Sequence, residues 1–219
     1  MKFNELVNRI ISSVIITPSV ILLVYLGSYY FIFFLFLCFT IATYEWTKIA
    51  KLKNYLIPGF IFIGLSFISA YNTRYIKFYD YEGALTFLFI LLICILTDIG
   101  GYIFGKTVKG PKLTRISPNK TIAGFIGGIF LPVSVFYIIL NNNIFLKNQN
   151  LQNDLTLILF FIVILSIISQ LGDLSISYFK RRSGFKNTGN IIPGHGGILD
   201  RIDGMIFVFL FSYFYFLNL

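Results

Sequence analysis

The sequence predicts an all-α protein that crosses a membrane about seven times. Three observations predict it: an extreme apolar composition, a series of long apolar runs, and a one-sided distribution of basic residues between those runs. Of 219 residues, 57% are hydrophobic, 19% aromatic and only 12% charged, and the mean hydropathy is +0.81. Soluble domains carry about 25% charged residues. A chain this apolar cannot cover its own surface with polar groups, so lipid is part of its solvent.

A membrane helix needs roughly 17–25 mostly apolar residues. Seven runs qualify, over 10–27, 29–46, 56–71, 83–104, 123–140, 155–174 and 198–217. The first two are joined by a very short turn, and the third is short and contains Pro58. Backbone groups cannot stay unpaired in lipid, and alternating strands of about ten residues are absent, so helices are the only spanning option. The first run follows Lys2 and Arg9 and could suggest a signal peptide. It is long for a signal core, contains Pro18 and lacks a small-residue cleavage site, so it reads as a retained span. Cys38 and Cys94 both lie inside apolar runs, form no CxxC pair and say little about redox compartment.

The formal charge of +9 is read by position, as topology, and not as a nucleic-acid signal. With the N-terminus in the cytoplasm and seven alternating spans, the cytoplasmic segments hold Lys2, Arg9, Lys48, Lys51, Lys53, Lys106, Lys109, Lys112, Arg115, Lys120, Lys180, Arg181, Arg182, Lys186 and Arg201. The outer segments hold Arg74, Lys77 and Lys147, a division of 15 against 3. This satisfies the positive-inside rule and favours an odd number of spans, while leaving room for an eighth, hidden or re-entrant segment. Residues 141–154, with Asn141, Asn142 and Asn143, read as a polar outer loop. No internal repeat or linker interrupts the chain. Residues 1–219 are expected to form one membrane domain, with 1–97 supplying N-terminal spans and 98–219 a catalytic half that carries both motif loops.

Four of the nine acids stand in unusual places. Asp98 and Asp173 lie near the ends of the fourth and sixth runs, and Asp200 and Asp203 share a helix face at the start of the seventh. An ionised carboxylate deep in a spanning helix costs about 2.5–3.5 kcal/mol, so such residues are usually partnered and functional. The plain alternative is that each pairs with a nearby Lys or Arg to fix helix packing. All four fall at the cytoplasmic end, which favours a shared site. Hard carboxylate oxygens suit Mg²⁺ beside phosphates. Zinc is disfavoured, since His195 is the only histidine and no thiol lies near it.

Two cytoplasmic loops supply the remaining groups. The last holds Ser177, Lys180, Arg181, Arg182 and Lys186, then Pro193-Gly194-His195-Gly196-Gly197, ahead of Asp200-Arg201-Ile202-Asp203. Glycines let backbone N–H groups approach phosphate, a helix N-terminus follows directly, and Lys and Arg add charge. The earlier loop runs from Asp98 through Tyr102 and Gly105 to Ser117-Pro118-Asn119-Lys120-Thr121. Lys120 and Thr121 sit where a phosphate could meet the next helix, and Ser117-Pro118 could start that helix. Gly101/Gly105 and Gly124/Gly128 have the spacing of close helix packing. Together these features point to phosphoryl or nucleotidyl transfer.

These residues resemble the phosphatidate cytidylyltransferases (CDP-diacylglycerol synthases). Ser177, Lys180, Arg181, Lys186, Gly189, Pro193, His195, Gly196, Gly197, Asp200, Arg201 and Asp203 match that family's pattern in register. Gly172-Asp173-Leu174, the Asp98/Tyr102/Gly105 stretch and residues 116–121 are also similar to it, and Glu45-Trp46 more loosely so. Three positions depart from it, where Ala123, Ile176 and Asn187 stand in place of acids.

The resemblance implies transfer of a cytidylyl group from CTP to phosphatidate, giving CDP-diacylglycerol and pyrophosphate. It implies Mg²⁺ held by Asp173 and Asp200 with Asp203 and Asp98 in support, and leaves a second cation open. Lys180, Arg181, Lys186 and Arg201 are expected to bind phosphates, with Ser177, Gly196 and Gly197 beside them. Ser117, Lys120 and Thr121 are expected to form the opposing phosphate wall. His195 either donates to a phosphate or braces the Gly-rich turn. The partners implied are CTP, phosphatidate and membrane lipid, with no nucleic acid, and a homodimer is left open. The location implied is the cell (inner) membrane, with N-terminus and site cytoplasmic. The alternative is a related CTP-using membrane enzyme acting on an isoprenoid lipid, either a polyprenol kinase or an ether-lipid cytidylyltransferase. A transporter would place charges near the bilayer midplane and repeat its halves, and neither is seen in the sequence.

Overall fold

The computed structural model describes residues 3–51, 54–77, 83–114, 117–141, 155–189, 191 and 196–218, with residues 3–13 and 15 described by backbone alone. His195, Pro193 and Gly194, the greater part of the expected outer loop (142–154), and Lys2, Lys53, Arg115 and Lys147 lie outside the described residues.

Seven helices make up the described chain: α1 (Phe3–Leu26), α2 (Ser28–Ala50), α3 (Leu56–Thr73), α4 (Gly83–Thr107), α5 (Ile122–Asn141), α6 (Leu155–Arg182) and α7 (Leu199–Leu217). Among the described residues there is no eighth helix and no strand beyond one isolated bridge, Lys112 to Thr121. Five helices, α2 to α6, are long and apolar enough to cross a membrane. Their outward faces are apolar, with Phe33, Phe36, Ile61, Ile126, Phe130 and Phe160 all exposed. This is an integral membrane protein of the helical kind.

The α1–α2 turn is a single residue, Gly27, at φ +63°. Arg74 at the end of α3 reaches it and donates to the carbonyls of Val24 (2.7 Å) and Tyr25 (3.3 Å), the last turn of α1. Those carbonyls have no partner within the helix, and a cation suits the negative end of the helix dipole. Pro58 sits in the first turn of α3, where a missing N–H breaks no helical bond.

Helix α7 packs against α3 and α6, α2 against α3, and α5 against α4 and α6. One core cluster runs through the bundle with Val24, Phe31, Ile90, Ile162, Leu165 and Val208 fully buried. A second, around Trp46, Ile49, Ile63, Ile176 and Leu199, lies where α2, α3, α6 and α7 meet at the motif end. The Trp46 indole N–H donates to the Leu56 carbonyl at 3.1 Å.

The α4–α5 contact is made by glycines, as their spacing predicts. A Cβ on Gly124 would stand 2.7 Å from the Gly101 carbonyl, and one on Gly100 would run into the Gly127 carbonyl. Backbone cannot move aside as a flexible side chain can. Gly100→Ala is therefore expected to cost about 1–3 kcal/mol, the usual cost of overpacking. Gly64→Ala, on α3 with open space around it, is the control that leaves the melting temperature in detergent unchanged or raised.

Two boundaries differ from the sequence reading. Helix α6 continues eight residues beyond 174, so Ser177, Lys180 and Arg181 are helical and not part of a loop. Lys and Arg are good helix formers, and nothing in 175–182 breaks the pattern. Gly184, at φ +76°, ends the helix. The Phe185 N–H bonds the Lys180 carbonyl (2.9 Å) and the Gly184 N–H the Arg181 carbonyl (3.1 Å), the two bonds of a Schellman stop. Helix α5 begins at Ile122 and not at Ser117-Pro118, because Thr121 is its N-cap: the Thr121 hydroxyl accepts the Gly124 N–H at 3.1 Å.

Candidate active site

Two clefts open at the motif end and share Asp98 and Asp173. The first, about 350 Å³, is lined by those two acids together with Lys180, Asn187, Asp200, Arg201 and Asp203. The second, about 360 Å³, lies between α4, α5 and α6, and Ser117, Lys120, Thr121 and Gln170 are in its wall.

Three of the four acids stand beside lysines. Lys120 pairs with Asp173. Lys180, only 8% exposed, stands 2.8 Å from Asp200 and 3.8 Å from Asp203. The Ser177 hydroxyl, one turn along α6, donates to Asp173 at 3.2 Å. The plain reading, acids paired with bases, and the functional one, acids gathered around one cleft, therefore describe the same arrangement.

Lys120 is presented by a closed loop. The Leu113 N–H bonds the Lys120 carbonyl (2.8 Å), the Ile122 N–H the Pro111 carbonyl (3.1 Å), and the Lys120 N–H the Ser117 carbonyl (3.0 Å). These bonds fix the Ser117–Thr121 segment against the start of α5. Ser117, Lys120 and Thr121 thus stand together on one wall, with the Thr121 hydroxyl also serving as cap.

Asp200 ties Thr188 and Gly197 to α7. One oxygen receives Lys180, and the other accepts the Thr188 N–H (2.8 Å) and the Gly197 N–H (3.1 Å). Gly196 has φ +91°, where a side chain would be strained. Gly197 is tightly enclosed: a Cβ there would run into the Thr188 hydroxyl and the Glu45 carboxylate. Arg181 and Lys186 are exposed and line neither cleft, and Arg181 donates to the Phe185 carbonyl at 3.4 Å. Of the three positions that depart from the family pattern, only Asn187 lines a cleft. Ile176 is buried in the core beneath, and Ala123 lies outside both clefts.

Glu45 was missing from the sequence-based site. It is fully buried. Its carboxylate accepts the Thr188 hydroxyl (2.6 Å), the Leu199 N–H (2.8 Å) and the Ile198 N–H (3.1 Å). An anion at the first, unpaired N–H groups of α7 is favourable. Its signal in the sequence was an acid inside an apolar run, the same signal that singled out Asp98.

A bundle of spanning helices with acids and bases around two joined clefts defines a polytopic helical membrane protein with a charged site at one end. The model of the Cytidylyltransferase family matches residues 7–80 and 73–219, and the chain belongs to that family. It is 37% identical over 190 residues to a phosphatidate cytidylyltransferase of Staphylococcus epidermidis, covering 75% of this chain and 68% of that protein. It is 42% identical over 152 residues to one of Staphylococcus aureus and 45% over 148 residues to one of Staphylococcus haemolyticus, each alignment covering 67% of this chain. The chain spans 52% of the length of the latter two relatives.

Proposed function

We propose that this chain joins CTP to phosphatidate, forming CDP-diacylglycerol and pyrophosphate, at the cytoplasmic face of the cell (inner) membrane in which it is embedded. The observation that carries this reading is the pair of clefts meeting at Asp98 and Asp173, one for each phosphate-bearing substrate. The division of basic residues, 15 to 3, supports a cytoplasmic site. The family and the printed names of the relatives support the substrates.

An oxygen of the lipid phosphate attacks the α-phosphorus of CTP. The bond from that phosphorus to the oxygen bridging to the β-phosphate breaks, and pyrophosphate leaves with the electron pair. The lipid phosphate is already ionised near neutrality, so no strong base is required. The difficulty is bringing two anions together, which Lys120 on one side and Lys180 and Arg201 on the other offset by charge.

Four carboxylates and no thiol or imidazole line the clefts among the described residues, a donor set that fits Mg²⁺. Asp98, Asp173, Asp200 and Asp203 would hold it, and it would neutralise the triphosphate and the departing pyrophosphate. As the side chains stand, no three acids among the described residues are gathered tightly enough to bind an ion, and Lys120 and Lys180 pair with them instead.

Pyrophosphate release by the purified protein, with CTP, phosphatidate and Mg²⁺ each omitted in turn, tests the reading. Release that needs all three is expected. Release of CDP in place of pyrophosphate would mark a kinase and overturn it. Asp173→Asn is expected to lower turnover at least about 100-fold. It should change the melting temperature little, because a partly exposed ion pair is worth about 0–1 kcal/mol. Full turnover by that variant would remove Asp173 from the mechanism.

A further inference from the structure

We propose that the cleft between α4, α5 and α6 takes the glycerol diester of the lipid substrate, with Thr97 and Gln170 donating hydrogen bonds to its ester carbonyls. The proposal rests on the functional reading above and adds to it which lipid linkage the site selects.

Thr97 is 1% exposed and lines this cleft. Its hydroxyl has no hydrogen-bond partner. Other helical hydroxyls bond the carbonyl one turn back, as Ser66, Thr73, Ser134 and Ser166 do at 2.7–2.8 Å; of the three buried ones left without a partner among the described residues, Thr86, Thr97 and Ser212, it is Thr97 that lines this cleft. Thr97 forgoes that bond. Buried polar groups in folded proteins nearly always have a partner, and a helical Thr has two χ1 wells between which its hydroxyl can turn.

Gln170 faces the same cleft from α6. One amide hydrogen goes to the Phe125 carbonyl at 3.2 Å. An amide NH₂ has two hydrogens to donate, and among the described residues only the bond to Phe125 is formed.

The depth of these two groups matches a lipid. Helix α6 runs toward the motif end, so Gln170 lies three residues deeper in the bundle than Asp173. That is about 4.5 Å along a helix, the scale of a glycerol backbone between phosphate and ester. Thr97 likewise precedes Asp98 on α4. The cleft therefore grades from charged groups at its rim (Lys120, Asp173) to neutral donors one step inward. Tyr102, beside Gly101 in the cleft wall, is 66% exposed.

The test uses CTP with diacyl phosphatidate and with its diether analogue, which keeps the phosphate and chains but lacks both carbonyl acceptors. For the parent protein the diether lipid is expected to show a KM about three- to tenfold higher per hydrogen bond lost. Thr97→Val and Gln170→Leu should raise the KM for the diacyl lipid toward the diether value. They should leave the diether and CTP KM values in place. Thr97→Ser, which restores a hydroxyl, should restore the ester preference. Variants that raise the CTP KM instead, or that leave the ester-to-ether ratio unchanged while turnover persists, overturn this proposal alone. Absence of turnover with either lipid in the parent protein overturns the functional reading and the proposal with it.

Discussion

Glu45→Ala is expected to abolish turnover and to lower the stability of the protein by several kcal/mol. The alanine would leave the Thr188 hydroxyl and the Ile198 and Leu199 N–H groups without their acceptor. Each buried donor left unpaired costs about 1–3 kcal/mol. The same three bonds tie Thr188 and the start of α7, which carries Asp200, to α2, so the chemistry should fall with the fold. Glu45→Gln separates the two effects. It keeps the volume but turns an NH₂ toward donors, and turnover is expected to drop by about 100-fold or more with a smaller loss of melting temperature. A Glu45→Ala protein with full pyrophosphate release would show that the turn stands without its brace.

Lys180→Met is the second substitution with a large expected effect. Lys180 is the buried cation between Asp200 and Asp203. Removing one member of a buried ion pair costs about 3–5 kcal/mol, because the remaining charge is left unpaired. The double variant Lys180→Met/Asp200→Asn removes both charges of the 2.8 Å pair. It is expected to regain much of the melting temperature and none of the turnover. A double-mutant cycle on the two positions measures the coupling. Additive effects on stability would mean that the pair is not a unit. Recovery of turnover by the double variant would mean that neither group touches the reaction.

The helix order, the four acids and the glycine contacts were legible in the sequence because each leaves a local mark. Apolar runs give spans, acids inside them give a site, and glycines four apart give α4 against α5. The end of α6 was not legible, because a change from apolar to charged marks where a helix leaves lipid and not where it stops. Gly184 marks the stop, and only its positive φ shows why. Arg181 and Lys186, which the resemblance implies as phosphate-binding, stand exposed outside the clefts. Glu45 escaped as a site residue because two of its three partners are backbone N–H groups, which carry no residue identity. All three lie 143 to 154 positions away. Thr97 escaped for a related reason, since a hydroxyl that lacks its usual helical bond looks like any other threonine in the sequence.

The distance between Glu45 and its donors also bears on biogenesis. During synthesis Glu45 on α2 is made 143 to 154 residues before Thr188, Ile198 and Leu199. A nascent chain with α1 to α6 in place therefore holds the acceptor on α2 while it still awaits the N–H groups at the start of α7. A chain halted before α7 would leave the Glu45 carboxylate without two of its three donors.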